Sequence, residues 1–231
     1  MELNGYIDFD SVGLYRPDES LYAKILRLCR EKQQNPDSIK YVNTGRVSIW
    51  IPFSKFTSKE LVTLCPLSVI EEINLYTGRE CELVFGIQIL KVMAGAKEQV
   101  FHRDYDESDK LHIMAAISLN PEKKLTTILV PGTHLEEVIE IGDARREDAE
   151  ESWEERSVPA NSRFFAFDSH LVHKGAARRM DLGHDDQRVF LHFLPRNINR
   201  QLLIDIVYAQ GVPRRLVPIK IRKQLESNMY R

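Results

Sequence analysis

The chain has little cysteine, and what it has is poorly placed for chemistry. Cys29, Cys65 and Cys81 are odd in number and far apart, with no C-x-x-C pair to hold zinc or run thiol redox reactions. They are expected to be buried, reduced packing residues. Glycine-rich phosphate cradles are missing too: neither G-x-G-x-x-G nor G-x-x-x-x-G-K-[ST] occurs, which removes the usual nucleotide-binding turns. No apolar run approaches the ~20 residues that span a bilayer, and the N-terminus MELNGYIDFD lacks a basic stretch followed by an apolar one, the mark of a secretory signal. A soluble, cytoplasmic protein is expected. The formal charge of −2 carries no whole-chain signature of nucleic-acid or membrane binding. No internal repeat is present.

What is there divides by texture. Asp18 can cap a helix whose apolar residues Leu21, Tyr22, Ile25, Leu28 and Cys29 share one face. Thr57 begins a second helical stretch, Pro66 restarts it, and Gly78 ends it. From Leu83 the runs LVFGIQILKVM, LHIMAAISL, LTTILV, SRFFAF and RVFLHFL are short, β-branched and aromatic, and turn clusters separate them. In LHIMAAISL, alternation puts Leu111, Ile113, Ala115, Ile117 and Leu119 on one face and His112, Met114, Ala116 and Ser118 on the other. Many short strands with little helix between them favour a sandwich or jelly roll over a parallel βαβ sheet. The expectation is one domain over 1–231, mainly β with flanking α-helices: helical support in 1–82, a jelly-roll core in 83–194 and a basic extension in 195–231.

Two segments stand out by charge. Glu136 to Arg156 holds ten acidic residues against three basic ones; a solvated helix or loop is the simplest reading, and a pocket lid the sharper one. Arg196 to Arg231 holds eight basic residues against two acidic ones, which leaves room for an anionic partner at that surface although a peripheral charged helix explains it as well.

Three histidines have a carboxylate two positions on: His102 with Asp104, His134 with Glu136 and His184 with Asp186. On a strand such a pair points the same way and can share one metal ion. His184 lies in the polar turn DLGHDDQ, with little chain left to complete a site. His134 follows a proline–glycine turn and is expected at the surface. His102, in EQVFHRDYDESD, ends an apolar strand and has strands and further histidines after it. A third ligand could be His170, still in the turn after SRFFAF, or His173, which opens the next run and is favoured. Downstream, Arg188, Phe190 and His192 share a face by alternation.

The order strand, His-x-Asp, sheet strands, turn, His, strand, Arg resembles the Fe(II)- and 2-oxoglutarate-dependent dioxygenases, most closely their phytanoyl-CoA hydroxylase-like branch, over about half the chain. The resemblance rests on QVFHRD, ISLN, LVPGTH, FFAFDSHLVHKG and Arg188. It implies a double-stranded β-helix (cupin-like) core in which His102, Asp104 and His173 bind iron. It also implies that Arg188 pairs with the far carboxylate of 2-oxoglutarate, that Gln99 helps hold this cosubstrate, and that O2 is the oxidant. Two neutral imidazoles and one carboxylate would leave three octahedral positions open, and arginine's forked donors suit a carboxylate. The implied activity is hydroxylation or another oxidation of an unactivated C–H bond of a small molecule, with succinate and CO2 released. Many relatives have Ser or Thr two residues after the arginine where Phe190 stands, so a second cosubstrate contact has to come from elsewhere. Arg103 is expected to face away from the metal, and Asp106, Glu107 and Asp109 to form a solvated loop at the rim.

The rivals are a cupin-like metalloenzyme without 2-oxoglutarate, such as an isomerase, and a non-catalytic jelly-roll binding or structural protein. Arg188 discriminates against the first, which has no evident need of it. A kinase catalytic loop is excluded because Asp106 and Asp109 stand where His-Arg-Asp kinases have lysine and asparagine.

Overall fold

The computed structural model describes residues 4–14, 18–33, 39–42, 45–104, 112–120, 127–136, 143–160, 162–178, 186–210, 212–213 and 216–217. The strands are β1 (Tyr6–Asp8), β2 (Ile39–Val42), β3 (Arg46–Ile51), β4 (Cys81–Val92), β5 (Ile113–Ser118), β6 (Thr127–Leu129), β7 (Val158–Pro159), β8 (Phe164–Asp168), β9 (His173–Gly175) and β10 (Asp186–Pro195). The helices are α1 (Glu19–Gln33), α2 (Ser58–Leu64), α3 (Leu67–Thr77), α4 (Asp143–Arg156) and α5 (Arg200–Ala209). A seven-stranded sheet runs β1-β8-β5-β10-β4-β3-β2, and a smaller sheet runs β7-β6-β9. Every described ladder is antiparallel. Two antiparallel sheets with helices flanking one of them make a jelly roll.

Side-chain alternation decides what lies on each side of the large sheet. One face carries Val47, Ile49, Ile51, Ile87, Ile89, Ile113, Ala115, Ile117, Phe164, Ala166, Val189, Leu191 and Phe193, which pack with α1 and α3 in the main core. Complete burial of each larger aliphatic chain contributes about 1.5–3 kcal/mol, so this face fixes the register of all the central strands. The opposite face is left for polar and aromatic residues. Arg46 and Ser48 from β3, Gln88 from β4, Met114 from β5, Phe167 from β8, and Arg188 and Phe190 from β10 line a cavity on that side, shared with Thr127 of β6 and His173 and Gly175 of β9.

The supporting helices form for the reasons legible in their sequences. The residues of α1 buried against the sheet are Leu21, Tyr22, Ile25, Leu28 and Cys29, and Asp18 accepts from the amide of Leu21 at 2.9 Å. Thr57 and Glu60 form a reciprocal capping box at the start of α2. Gly78 ends α3 in the left-handed conformation. Cys29, Cys65 and Cys81 are free and buried, and burial pushes the Cys65 thiol up to about 12. No described helix is long and apolar enough to cross a membrane.

The N-terminal third is more than helical support. β1, β2 and β3 lie before Leu83 and join the large sheet, β3 between β2 and β4. RVSIWI alternates between a core face and a polar face, but the polar face lines a cavity and the whole strand is buried. The strand LVFGIQILKVM is also interrupted. Gln88 pairs with Phe190 but Val84 with His192, so β4 carries two extra residues opposite β10. They are Phe85, at φ 67°, and Gly86, at φ 141°. A Cβ on Gly86 would come within 2.6 Å of the carbonyl oxygen of Ile51. The bulge turns Phe85 edge-on to Trp50, with ring centroids 6.4 Å apart, in the cluster that also holds Ile204 and Val207 of α5. Gly86→Ala is expected to cost about 1–3 kcal/mol. Gly13→Ala, also at positive φ but with nothing within 4 Å, should cost less. Urea unfolding of the two variants checks this, and equal midpoints would contradict it.

Candidate metal and oxo-acid site

The segment ahead of Asp104 runs alongside β9 as if it were a further strand. Gln99 donates its amide to the Gly175 carbonyl at 3.0 Å, and His102 and His173 exchange both backbone hydrogen bonds, at 3.0 and 2.9 Å. Asp104 donates its amide to the carbonyl of Ser169 at 2.9 Å. The two imidazoles therefore leave the backbone side by side, with ring centroids 4.5 Å apart. Each Nδ1 lies 2.9 Å from a carbonyl oxygen, His102 on Val100 and His173 on Leu171. A carbonyl only accepts, so both Nδ1 atoms carry the hydrogen and each neutral ring presents a bare Nε2. Those Nε2 atoms face the Asp104 carboxylate, at 3.9 Å from His102 and 3.2 Å from His173. One donor atom from each of the three residues falls within 4.8 Å of the other two.

The electrostatics of the trio follow from this convergence. Burial raises the Asp104 carboxyl, but His173, through its charge and hydrogen bond, and then His102 and His112 outweigh it and hold it down at about 2. His102 is lowered, by burial first and then by His173. Burial also lowers His173, yet the charge and hydrogen bond of Asp104 more than reverse this and raise it.

Arg188 stands in the same cavity, 3% exposed. Its Nη1 donates to Thr127 Oγ1 at 2.9 Å and its Nη2 to Asp186 Oδ2 at 3.1 Å. Burial lowers its pKa and Asp186 works against that shift. The Thr127 hydroxyl thus occupies the place beside the guanidinium that Phe190 cannot fill. Gln99 also lines the cavity, with its side-chain oxygen accepting from the Gly175 amide at 3.0 Å. The cavity measures about 540 Å³, a size suited to a small molecule, and Leu90, Met114, Phe167 and Phe190 supply apolar wall.

No protein-family model matches the sequence, and no curated protein matches it significantly. Solved structures do match in fold. AviO1 from Streptomyces viridochromogenes Tue57 superposes with a TM-score of 0.59 at 15% identity, covering 86% of this chain and 93% of that one. EctD from S. alaskensis, solved with bound Fe, gives 0.61 at 14% identity over 83% of this chain and 73% of its own. SnoN, a non-haem α-ketoglutarate-dependent epimerase from nogalamycin biosynthesis, gives 0.58 at 15% identity over 83% and 77%. The chain spans about half of EvdMO1, covering 48% of that protein at a TM-score of 0.59. The chain shares its fold with these proteins, among them a non-haem α-ketoglutarate-dependent epimerase and a protein solved with bound Fe.

Within this fold, His102, Asp104, His173, Arg188 and Gln99 all line one cavity. His170 does not. Its Nε2 lies 3.2 Å from the Glu136 carbonyl, and its amide donates to Asp168 Oδ1, whose other oxygen accepts from Tyr76. His134 departs from expectation, being buried at 2% exposure rather than superficial. The PGTH turn tucks inward because the Thr133 hydroxyl accepts from the Val172 amide at 2.9 Å. Arg103 faces away from the candidate ligands, with Nε donating to the His170 carbonyl and Nη2 to that of Thr133. His184, Asp106, Glu107 and Asp109 lie outside the described residues, as do 214–215 and 218–231 of the basic tail.

The acidic segment includes α4, whose last two turns dock beside the His102 segment. Trp153 packs edge-on against Phe101, with centroids 6.0 Å apart, and Glu154 bonds the buried ammonium of Lys174. Lys174 also pairs with Glu98 at 3.4 Å and sits over the Phe101 ring. Burial lowers this lysine, but the two glutamates outweigh it and leave it raised.

Sequence reasoning missed Arg46, because an arginine opening a short strand reads as exposed. It is 1% exposed. Its Nη1 donates to the carbonyl of Lys97 at 2.7 Å and its Nη2 to those of Gly175 and Ala176 at 3.1 and 3.0 Å. Burial and then Arg188 lower its pKa. It clamps β9 to the strand-like 97–104 segment, and a Cβ on Gly175 would sit 2.5 Å from the Gln99 oxygen and 3.0 Å from the guanidinium. Arg46→Met strips three carbonyls of this donor and is expected to cost about 3 kcal/mol. Thermal unfolding and amide exchange at Gln99 and Gly175 measure it; a wild-type midpoint with unchanged exchange would contradict the clamp.

Proposed function

We propose that the protein is an Fe(II)- and 2-oxoglutarate-dependent dioxygenase that hydroxylates an unactivated C–H bond of an uncharged small molecule. The observation that carries this reading is the presence, in one cavity, of a His102–Asp104–His173 donor set and a buried Arg188. The donor set fits a divalent metal on its own chemistry. Two bare Nε2 lone pairs facing a carboxylate repel one another and it unless a cation or proton lies between them, and two imidazoles with one carboxylate suit Fe(II). With iron, 2-oxoglutarate and O2 bound there, the site would supply oxidative decarboxylation to succinate and CO2 and the oxidising equivalent that attacks C–H.

The chain's own residues do the rest. His102, Asp104 and His173 hold the metal on one side. Arg188 offers its fork to the far carboxylate of the oxo acid, with Asp186 fixing the fork's orientation and Thr127 adding a hydroxyl contact; Gln99 borders the same space. Leu90, Met114, Phe167 and Phe190 exclude water from the reacting centre. A cupin-like metalloenzyme without an oxo acid has no use for a buried, oriented arginine beside the metal ligands, and a non-catalytic jelly roll has no use for either. Fold neighbours that include an epimerase and a carbocyclase are compatible with a common attack on C–H followed by different outcomes.

Two measurements test the assignment of roles. Equilibrium dialysis with Fe(II) under nitrogen should find one iron per wild-type chain and per His170→Ala chain, and none on His173→Ala; the reverse pattern would reassign the third ligand. Arg188→Met should keep iron but raise the 2-oxoglutarate concentration for half-maximal succinate release by about 10²-fold, the worth of two charge-assisted hydrogen bonds. Unchanged dependence would remove the arginine from the cosubstrate site. Charge bears on the substrate as well. Glu98 lies on the cavity wall and Glu154 beside it on α4, so neutral compounds should stimulate succinate release above polyanions, and an acyl-CoA as best substrate would overturn that preference.

A further inference from the structure

The cavity floor carries a polar chain that the proposed chemistry does not use. His112 Nε2 lies 3.0 Å from His192 Nδ1, His192 Nε2 lies 2.8 Å from Gln88 Oε1, and Gln88 Nε2 donates to Ser48 Oγ at 2.9 Å. Both rings are buried, His112 at 1% and His192 at 0% exposure. The two rings lie edge to edge and nearly coplanar, with centroids 5.2 Å apart at 12°, and the Trp50 ring lies 5.1 Å from that of His192 at 26°. A hydrogen bond between two ring nitrogens needs one of them bare, so the two rings cannot both be charged, and burial lowers the pKa of both.

The direction of the chain is decided at its ends. Gln88 spends its oxygen on His192 Nε2, which must then carry the hydrogen, leaving His192 Nδ1 to accept from His112 Nε2. His112 Nδ1 is consequently a bare lone pair, buried and without a partner among the described residues. The opposite direction would require the Gln88 amide reversed and would put an N–H on that same His112 Nδ1 with no acceptor. A buried orphan N–H is rarer and more costly than an unfilled acceptor. At the other end, the Ser48 oxygen already accepts from Gln88, and no described residue takes the Ser48 hydrogen. Ser48 and Gln88 both line the cavity.

We propose that the Ser48 hydroxyl is the substrate-orienting donor of the cavity, held in that sense by the His112–His192–Gln88 chain, and that the substrate presents to it an acceptor oxygen on an otherwise apolar, uncharged skeleton. The charged groups on the cavity wall have other work: Arg46 holds three carbonyls, Arg188 is set for the oxo acid, Asp104 faces the histidines and Glu98 pairs with Lys174. Beside Ser48 the wall is Leu90, which separates it from Arg188 in the sheet, where Ser48 pairs with Leu90 and Leu90 with Arg188. A ketone, lactone or ether oxygen fits a single neutral donor on such a wall; a carboxylate or phosphate does not. This inference rests on the cavity being the enzyme's substrate site, and its test is read without iron or turnover.

Two readouts are combined on the full chain. Nitrogen-15 NMR of the histidine rings should find His112 and His192 both protonated at Nε2 in the wild type; protonation of both at Nδ1 would overturn the chain's direction. Binding of cyclohexanone, norcamphor and camphor, each against the hydrocarbon lacking the oxygen, is then followed by ligand-observed NMR. At least one ketone should bind threefold to tenfold more tightly than its hydrocarbon, the net worth of one neutral hydrogen bond. The preference should vanish in Ser48→Ala and persist in Ser48→Thr, both with wild-type unfolding midpoints. No ketone preference in the wild type, or one that survives in Ser48→Ala, would overturn the proposal. A ketone preference in protein that fails to bind iron would sink the dioxygenase reading and leave this one standing.

Discussion

Two backbone hydrogen bonds, exchanged between His102 and His173, set the geometry on which the rest of the site depends. They make an irregular segment behave as a strand beside β9, so that two residues 71 positions apart in sequence project imidazoles from the same side. The i to i+2 relation then carries Asp104 to the same point, and the amide bond from Asp104 to Ser169 stops it from swinging out. Local carbonyls on each Nδ1 complete the arrangement by fixing the tautomers, the kind of outer contact that orients a ligating histidine. Arg46 reinforces the pairing from outside by gripping carbonyls on both partners.

Burying that much charge is costly, and the molecule offsets it pair by pair. Asp186 stands between Arg188 at 3.1 Å and Arg178 at 3.9 Å, so Arg188 is not an isolated buried cation. Asp104 faces the two histidines, and a divalent metal held among the three would balance its charge. A site of two neutral imidazoles, one carboxylate and a divalent ion would have net charge +1 and would complement a dianionic oxo acid whose second carboxylate reached Arg188, as proposed. Binding energy and catalytic geometry would then come from the same few contacts, each strengthened by its partial removal from water.

Much of this was legible in the sequence, and the reasons for the exceptions are physical. The helix faces, the caps at Asp18 and Thr57, and the five strands after Leu83 follow from short-range pattern. Strand parity paired His102 with Asp104, and the family resemblance added His173 and Arg188, all four of which line one cavity. What lay hidden was whatever depends on a surface that is buried but polar. Arg46, Ser48, Gln88 and Thr127 face the cavity, where the alternation of apolar and polar residues looks like that of a strand facing water. His134 was misjudged for the same reason, since a turn that folds inward has the composition of one that folds outward. Asp186 was visible only as half of a His-x-Asp pair, while its partner in the structure is the arginine two residues later.

The central claim is that iron and 2-oxoglutarate occupy this cavity together. Anaerobic addition of one equivalent of Fe(II) and then 2-oxoglutarate to the folded protein tests it most directly, by the visible metal-to-ligand charge-transfer band of a chelated oxo acid. The account predicts a band that saturates at one equivalent of iron and fails to develop when succinate replaces 2-oxoglutarate. Folded protein that shows no band at saturating 2-oxoglutarate would contradict it.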